Sequence, residues 1–196
     1  MPSTAAQAGL DRVVADYRRT ADVPELLHRL DAIARAHPTE DLVAALKPYM
    51  DLHEVAGPVF EVIVEREPRN AHALVVLANA CWLTGRGPQV VAALAERARD
   101  ADPDNRAAWH LWALANESPR ERTNRWREVV RRFPGDDLAR ANLADNAASV
   151  AGAEDDPVAL KLAIDTFEEL RRRATRDEQR SALDRALAAL RRTPGV

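Results

Sequence analysis

The sequence predicts an all-α protein built from pairs of helices. Three observations support this: strong helix formers dominate the composition, runs with strand character are nearly absent, and prolines interrupt the chain at regular intervals. The best strand candidate is VFEVIVE at 59–65. Its apolar residues follow the 3-4 spacing of a helix, so we predict helix there as well.

Length and composition set the broad class. With 196 residues, 46% hydrophobic and 30% charged, the chain is long enough for one domain or two small ones and resembles an ordinary globular protein. The net charge of −3 gives no general field for nucleic acid or anionic membranes. No apolar run approaches about 18 residues, and the first twenty residues lack a signal-peptide pattern, so we expect a cytoplasmic protein without a membrane span.

The small numbers of cysteines and lysines limit which metal sites, disulfides and charge contacts the protein can form. The lone Cys81 excludes an internal disulfide and a cysteine-based zinc site, and its apolar neighbours predict a buried thiol. Lys47 and Lys161 are the only lysines, so arginine carries nearly all positive charge. We interpret that mainly as the composition typical of a GC-rich, bacterial-type genome, with bidentate anion recognition as the alternative.

Four similar tetrapeptides divide the chain. They are HPTE (37–40), EPRN (67–70), DPDN (102–105) and FPGD (133–136), and their prolines are spaced 30, 35 and 31 residues apart. Proline ends the preceding helix, and an Asn or Asp two residues later can cap the next. Pro24, Pro88, Pro119 and Pro157 are instead predicted helix starts, the last two after the N-cap candidates Ser118 and Asp156.

The residues between these turns resemble tetratricopeptide repeats (TPRs). From Ala71 the family's large, small and glycine positions are occupied by Leu74, Leu77, Ala78 and Gly85, and the second helix gives Val91, Ala95 and Ala98. The next unit supplies Trp109, Trp112, Ala113 and Trp126, but Arg122 stands where the family has alanine, so its second helix is expected to start late. A period in the low thirties is typical of such repeats.

The resemblance covers residues 39–173. The unit from Asp137 gives Leu143 and Ala144, then a longer loop through AGAEDDP before a second helix with Phe167. Residues 1–38 are predicted to form N-terminal helices, with a degenerate first repeat as one interpretation, and residues 174–196 to form a C-terminal capping helix. The alternatives for this last helix are that it occupies the groove or pairs with another copy. The resemblance implies a right-handed α-α superhelix. The alpha subunits of protein prenyltransferases are a related alternative.

Three alternating aspartates could form either a calcium-binding loop or a turn between two helices. Asp100, Asp102 and Asp104 alternate like the first ligands of an EF-hand. That loop requires glycine at its sixth position and glutamate at its twelfth, where this chain has Asn105 and Leu111. We therefore predict a helix–turn–helix, with the tryptophans that follow in the core.

No catalytic constellation is recognisable. The five histidines are scattered without metal-ligand spacing, and phosphate-binding loops and nucleophile elbows are absent. Acidic pairs such as Asp155-Asp156 are interpreted as helix starts, and the arginines of 120–132 as a solvated helix face, with an acidic partner as the lesser alternative. We predict no catalytic residue, cofactor or metal.

The TPR resemblance implies a concave groove lined by the first helix of each unit. The predicted ligand-binding residues are His72, Val75, Asn79, Trp82, His110, Leu114, Leu138, Ala141 and Asp145. Only Asn79 matches the family's carboxylate clamp, so no clamp is expected. We predict a non-enzymatic scaffold that binds a protein or peptide, without nucleic acid or membrane. The alternatives are a helical enzyme or enzyme subunit of the prenyltransferase alpha type, or a homo-oligomer using its terminal helices.

Overall fold

All regular secondary structure in residues 5–192, which the computed structural model describes, is helical. The α-helices are α1 (Ala5–Thr20), α2 (Val23–Ala36), α3 (Thr39–Leu46), α4 (His53–Arg66), α5 (Ala71–Leu83), α6 (Pro88–Ala101), α7 (Arg106–Leu114), α8 (Pro119–Arg132), α9 (Asp137–Glu154), α10 (Pro157–Arg173) and α11 (Asp177–Leu190). A 3₁₀ turn, Lys47–Tyr49, follows α3. The all-α prediction is confirmed, including the helix through 59–65.

The chain forms two compact units, Met1–Leu111 and Trp112–Val196, and the boundary falls inside α7. In the first unit α1 packs on α2 and α3, α2 on α4, α4 on α5, and α5 on α6. The largest fully buried side chains of this unit are Leu10, Leu30, Leu42, Leu46, Val55, Val59, Phe60, Ile63, Leu74 and Val91. Its core therefore lies between successive helices.

The second unit repeats this arrangement with longer helices. α8 packs on α9, α9 on α10, and α10 on α11. Leu187 of α11 joins Phe167 and Leu170 of α10 and Ala144 of α9 in one buried cluster. Within the described residues, none of the helices combines the length and apolar character that a bilayer crossing requires.

The predicted turn chemistry is confirmed at three of the four tetrapeptides. The side chains of Asn70, Asn105 and Asp136 accept hydrogen bonds from backbone amides three residues ahead, at 3.0, 3.2 and 3.0 Å. These contacts cap α5, α7 and α9. At HPTE, however, Pro38 itself occupies the N-cap and makes no side-chain bond. Glutamate is too long to replace Asn or Asp in this role.

The predicted helix starts at the prolines, at Ser118 and at Asp156 are confirmed as well. Pro24 lies in the first turn of α2, while Pro88, Pro119 and Pro157 begin α6, α8 and α10. Ser118 caps α8, accepting from the Glu121 amide at 3.3 Å, and Asp156 caps α10 through two backbone amides at 2.9 and 3.0 Å.

Two expectations were wrong in the second unit. AGAE continues α9 as helix to Glu154, so the predicted long loop shrinks to Asp155, in the left-handed region with φ 48°, and the cap Asp156. Asp155 thus ends one helix rather than starting the next. The second helix of the preceding hairpin does not start late either, because α8 begins at Pro119 and includes Arg122.

The predicted segments 1–38 and 174–196 stay predictions. Their outer ends, residues 1–4 and 193–196, lie outside the described residues. Within the described part, α11 is seated on α10 by ion pairs as well as apolar contacts. Arg171 pairs with Asp184, and Arg191 with Glu168.

One polar contact in the first unit makes its stability depend on pH. Asp11 on α1 accepts hydrogen bonds from the Tyr49 hydroxyl and from the side-chain amide of Gln7. Burial, then the bond to Asp11, raises the pKa of Tyr49 from 10.0 to about 12. The fold thus favours the neutral phenol.

The capping contact of Asp136 can be tested against its counterpart at HPTE. We expect Asp136→Ala to lower the free energy of unfolding by about 1 kcal/mol, because α9 loses its N-cap. Glu40→Ala, at the equivalent position after Pro38, should be nearly neutral. Urea unfolding followed by circular dichroism measures both. Equal effects of the two substitutions would contradict the capping assignment.

The Tyr49 contact predicts a loss of stability at alkaline pH. A phenol whose pKa is raised by folding contributes fully below its unfolded value of 10.0, and the contribution disappears as pH rises through about 12. Thermal unfolding at pH 9 and pH 11 should therefore show a smaller decrease in Tyr49→Phe than in the wild type. Tyr17→Phe is the control and should follow the wild type. Identical pH dependence of all three proteins would contradict the prediction.

Candidate protein-binding faces

Helix α5 leaves one face open to solvent. Ala73, Leu74, Leu77, Ala78, Ala80 and Cys81 are buried. The predicted groove residues His72, Val75, Asn79 and Trp82 repeat every three or four positions, and none of them is buried. Such spacing places all four on one side of a helix. We call these four residues the α5 face.

The α5 face is mixed in chemistry. His72 begins it and touches the core, because its ring packs edge-on against Phe60 with the centroids 6.3 Å apart. Asn79 is exposed, and Trp82 keeps 39% of its surface accessible. An exposed tryptophan beside an amide and an imidazole offers apolar area together with hydrogen-bonding groups.

His110 and Leu114 lie on α7, where the two units meet in sequence, and both are half-buried.

The turn before α7 has the predicted form: the amide of Asp104 donates to Asp102 Oδ1 at 3.1 Å, and Asn105 caps the helix. These hydrogen bonds are those of a turn that leads into a helix. Among residues 5–192, no three His, Cys, Asp or Glu side chains come together as they would around a metal ion.

The tryptophans near α7 differ in burial. Trp109 is buried, its Nε1 donates to the Pro103 carbonyl at 2.8 Å, and the Arg99 guanidinium lies 3.7 Å from its ring centroid. Trp126 is also buried. Trp112 is only half-buried, so its prediction as a core residue holds in part. The guanidinium of Arg125 lies 4.8 Å from its ring centroid.

Helix α9 carries the predicted groove residues of the second unit. Leu138 is 62% exposed and Asp145 is also exposed. Ala141 is half-buried and packs against the cluster formed by α10 and α11. It therefore contributes to the seat of α11 as well as to the surface. We call Leu138, Ala141 and Asp145 the α9 face.

Asp145 is the titratable group of the α9 face with a shifted pKa. Partial burial raises the pKa of its carboxyl, although the residue as a whole is exposed. Desolvation disfavours the charged form of a carboxyl, and no other cause contributes. A cation placed beside Asp145 would offset that cost.

Sequence reasoning missed the role of Arg122. Its Nη1 donates to the carbonyls of Asn116 and Glu117 at 2.7 and 3.0 Å, and its Nε donates to Asn146 Oδ1 at 2.8 Å. Arg122 thus binds the carbonyls that follow the short α7 and ties α8 to α9. The only signal was its departure from the small residue of the repeat pattern.

The predicted solvated arginine face is correct for part of its residues. Arg127, Arg131 and Arg132 are exposed, whereas Arg122 and Arg125 are half-buried. Arg120 is exposed but pairs with Glu154 at 2.6 Å and Asp156 at 2.7 Å. These ion pairs compensate the charge of Arg120 within the protein.

The fold is similar to that of solved helical-repeat proteins. A crystal structure of MamA matches with a TM-score of 0.58 and 18% identity, covering 82% of this chain and 96% of that chain. TTC0263, a thermophilic TPR protein in Thermus thermophilus, matches with a TM-score of 0.56 and 15% identity, covering 95% and 98%. No protein-family model matches the chain, and no curated protein is similar to it in sequence.

These similarities and the helical hairpins agree with the repeat spacing of the sequence. At such identities the comparison establishes fold. The chain therefore has the TPR-like, all-α fold of helical hairpins that its sequence predicts.

Proposed function

We propose that this protein is a non-enzymatic scaffold that binds a segment of another protein through the first helices of its hairpins. The observation that carries the proposal is the α5 face, where three exposed side chains and the half-buried Val75 are regularly spaced on a helix whose other sides are mostly buried. A helix in contact with neighbours on most sides has little reason to keep a tryptophan exposed. The arrangement fits a surface that a partner covers.

The chemistry of the two faces supports a partner with mixed character. Trp82 and Val75 supply apolar contact, while His72 and Asn79 supply hydrogen-bonding groups. On the α9 face, partial burial raises the pKa of the Asp145 carboxyl. A segment that combines apolar and hydrogen-bonding groups would suit the α5 face, and a segment with a lysine or arginine would suit the α9 face.

His110 and Leu114 belong to the same proposal as contributors from α7. Both are half-buried, so His110 presents part of its surface in the first unit and Leu114 in the second. Their effects should be smaller than those of the α5 face, because energetically dominant contacts are few and are enriched in tryptophan, tyrosine and arginine.

Peptide selection followed by substitution tests this function. A random linear peptide library is panned on the intact protein, and the affinity of the selected peptides is measured by fluorescence anisotropy. We expect the double variant His72→Ala, Asn79→Ala to lower affinity about tenfold, as removal of central interface contacts typically does. Asp145→Asn should weaken peptides that contain lysine or arginine and leave neutral peptides unchanged.

Glu96→Ala, an exposed position on α6, is the matched control and should bind like the wild type. Asp145→Asn and Glu96→Ala should unfold at the wild-type temperature because both side chains are exposed, whereas His72→Ala loses its ring contact with Phe60, so circular dichroism must show that the double variant is folded at the assay temperature. Failure to select any peptide, or full affinity of the α5 and α9 variants, would contradict the proposal. If sedimentation showed self-association lost in the α5 variant, the ligand of this face would be a second copy of the chain.

A further inference from the structure

The first unit has an apolar cleft away from the α5 face. It lies between α2, α4 and α5 and has a volume of about 170 Å³. Helix α5 contributes Leu77, Ala80 and Cys81 to its lining. These residues lie on a different side of α5 from His72 and Asn79. An apolar cavity of about 150 Å³ accommodates one benzene ring, so this cleft has room for one bulky side chain.

Close helix packing forms one wall of the cleft. A Cβ built on Gly57 of α4 would lie 3.4 Å from the Cβ of Ala80, so the two backbones approach closely here. Small residues at this contact leave open space beside it. Gly57 and Ala80 both line the cleft.

The mouth of the cleft exposes large apolar side chains. Val23 and Leu27, one helical turn apart on α2, keep 46% and 43% of their surface accessible. Both line the cleft. Two branched side chains at the entrance of an apolar cleft form a continuous patch that water covers poorly.

The charge at the rim is negative. Arg86 pairs with Glu61 at 2.8 Å, so the charge of each is compensated within the cleft wall. Glu54, on the first turn of α4, also lines the cleft, is exposed and makes no ion pair or hydrogen bond to other residues of 5–192. His53 is the remaining titratable group of the lining apart from Cys81.

We propose that this cleft is a second docking site, which binds a partner segment carrying one bulky apolar side chain next to a lysine or arginine. The apolar side chain enters between α2, α4 and α5, and the basic residue meets Glu54 at the rim. The site is distinct from the α5 face and does not depend on it. The apolar lining of the cleft supplies affinity, and Glu54 selects for a positively charged residue next to the apolar side chain of the partner.

A pair of matched peptides tests the site. Both are fluorescein-labelled, with a single leucine in a Ser/Gly background; two arginines flank the leucine in one and two glutamates in the other. The arginine peptide should bind the intact protein more tightly than the glutamate peptide. Glu54→Lys should weaken the arginine peptide about fivefold to tenfold, the range for loss and reversal of one surface ion pair, and should strengthen the glutamate peptide.

The apolar part is tested with Val23→Ser and Leu27→Ser, which should each lower the affinity of both peptides about tenfold. Both side chains are exposed, so the fold should be unaffected. Val90→Ser, at an exposed apolar position on α6, is the control and should bind like the wild type.

Three results would overturn the proposal. The first is absence of binding of the arginine peptide, and the second is binding that the Glu54 and Leu27 substitutions leave unchanged. The third is self-association of the wild type that Leu27→Ser abolishes, since the cleft would then accept a second copy of the chain. If only His72→Ala, Asn79→Ala removes binding, the peptide occupies the α5 face; the cleft proposal then fails while the scaffold function stands.

Discussion

Close approach between neighbouring helices is the constraint on which the rest of the structure depends. Helices of this length gain their stability from packing rather than from intrinsic propensity, so each must bury one side against another helix. Small residues make the contact possible. Fully buried alanines lie along the helices of both units: Ala34, Ala56, Ala78, Ala95, Ala98, Ala108, Ala113, Ala139, Ala144, Ala147 and Ala163. The bulky side chains that flank these contacts then fill the layers between helices, and the sides without a helical neighbour become the available surfaces.

Local chemistry could be predicted from sequence wherever the interaction partners are close in the chain. The caps formed by Asn70, Asn105 and Asp136 need only an amide three residues away, and the sequence contains both partners. Apart from the cap at HPTE, the errors concern contacts between different helices. AGAE stays helical in α9, where Ala151 packs against the start of α10, and Arg122 is explained by Asn146, 24 residues later. The sequence gives no sign of the first contact, and of the second only the departure of Arg122 from the small residue of the repeat pattern.

The same distinction applies to the surfaces. Helical periodicity was enough to predict that His72, Val75, Asn79 and Trp82 would share one side of α5. It was insufficient for α9, where Ala141 meets a cluster that α11 completes. The apolar cleft could not be predicted, because Val23 on α2 and Leu77 on α5 are brought together only by the order in which the helices pack. A sequence pattern indicates which side of a helix is apolar, but the neighbouring helices determine whether that side is covered.

The arginine-rich composition has a structural use that composition alone did not reveal. Several guanidinium groups donate to backbone carbonyls at or just beyond the last turns of helices: Arg66 to the carbonyls of Arg35 and His37 after α2, Arg125 to that of Trp112 in α7, and Arg180 to that of Ala174 after α10. These carbonyls have no helical donor, and positive charge is favourable at that end of the dipole. A guanidinium offers several donors in a fixed plane, so a lysine could not reach two carbonyls in the same way. At the apolar cleft the arginine of the lining, Arg86, pairs with Glu61, so the uncompensated charge there is the carboxylate of Glu54. The two proposed binding regions with an acidic group favour a basic partner residue for different reasons: Glu54 lacks a partner among residues 5–192 at the cleft, and the Asp145 carboxyl is partly desolvated.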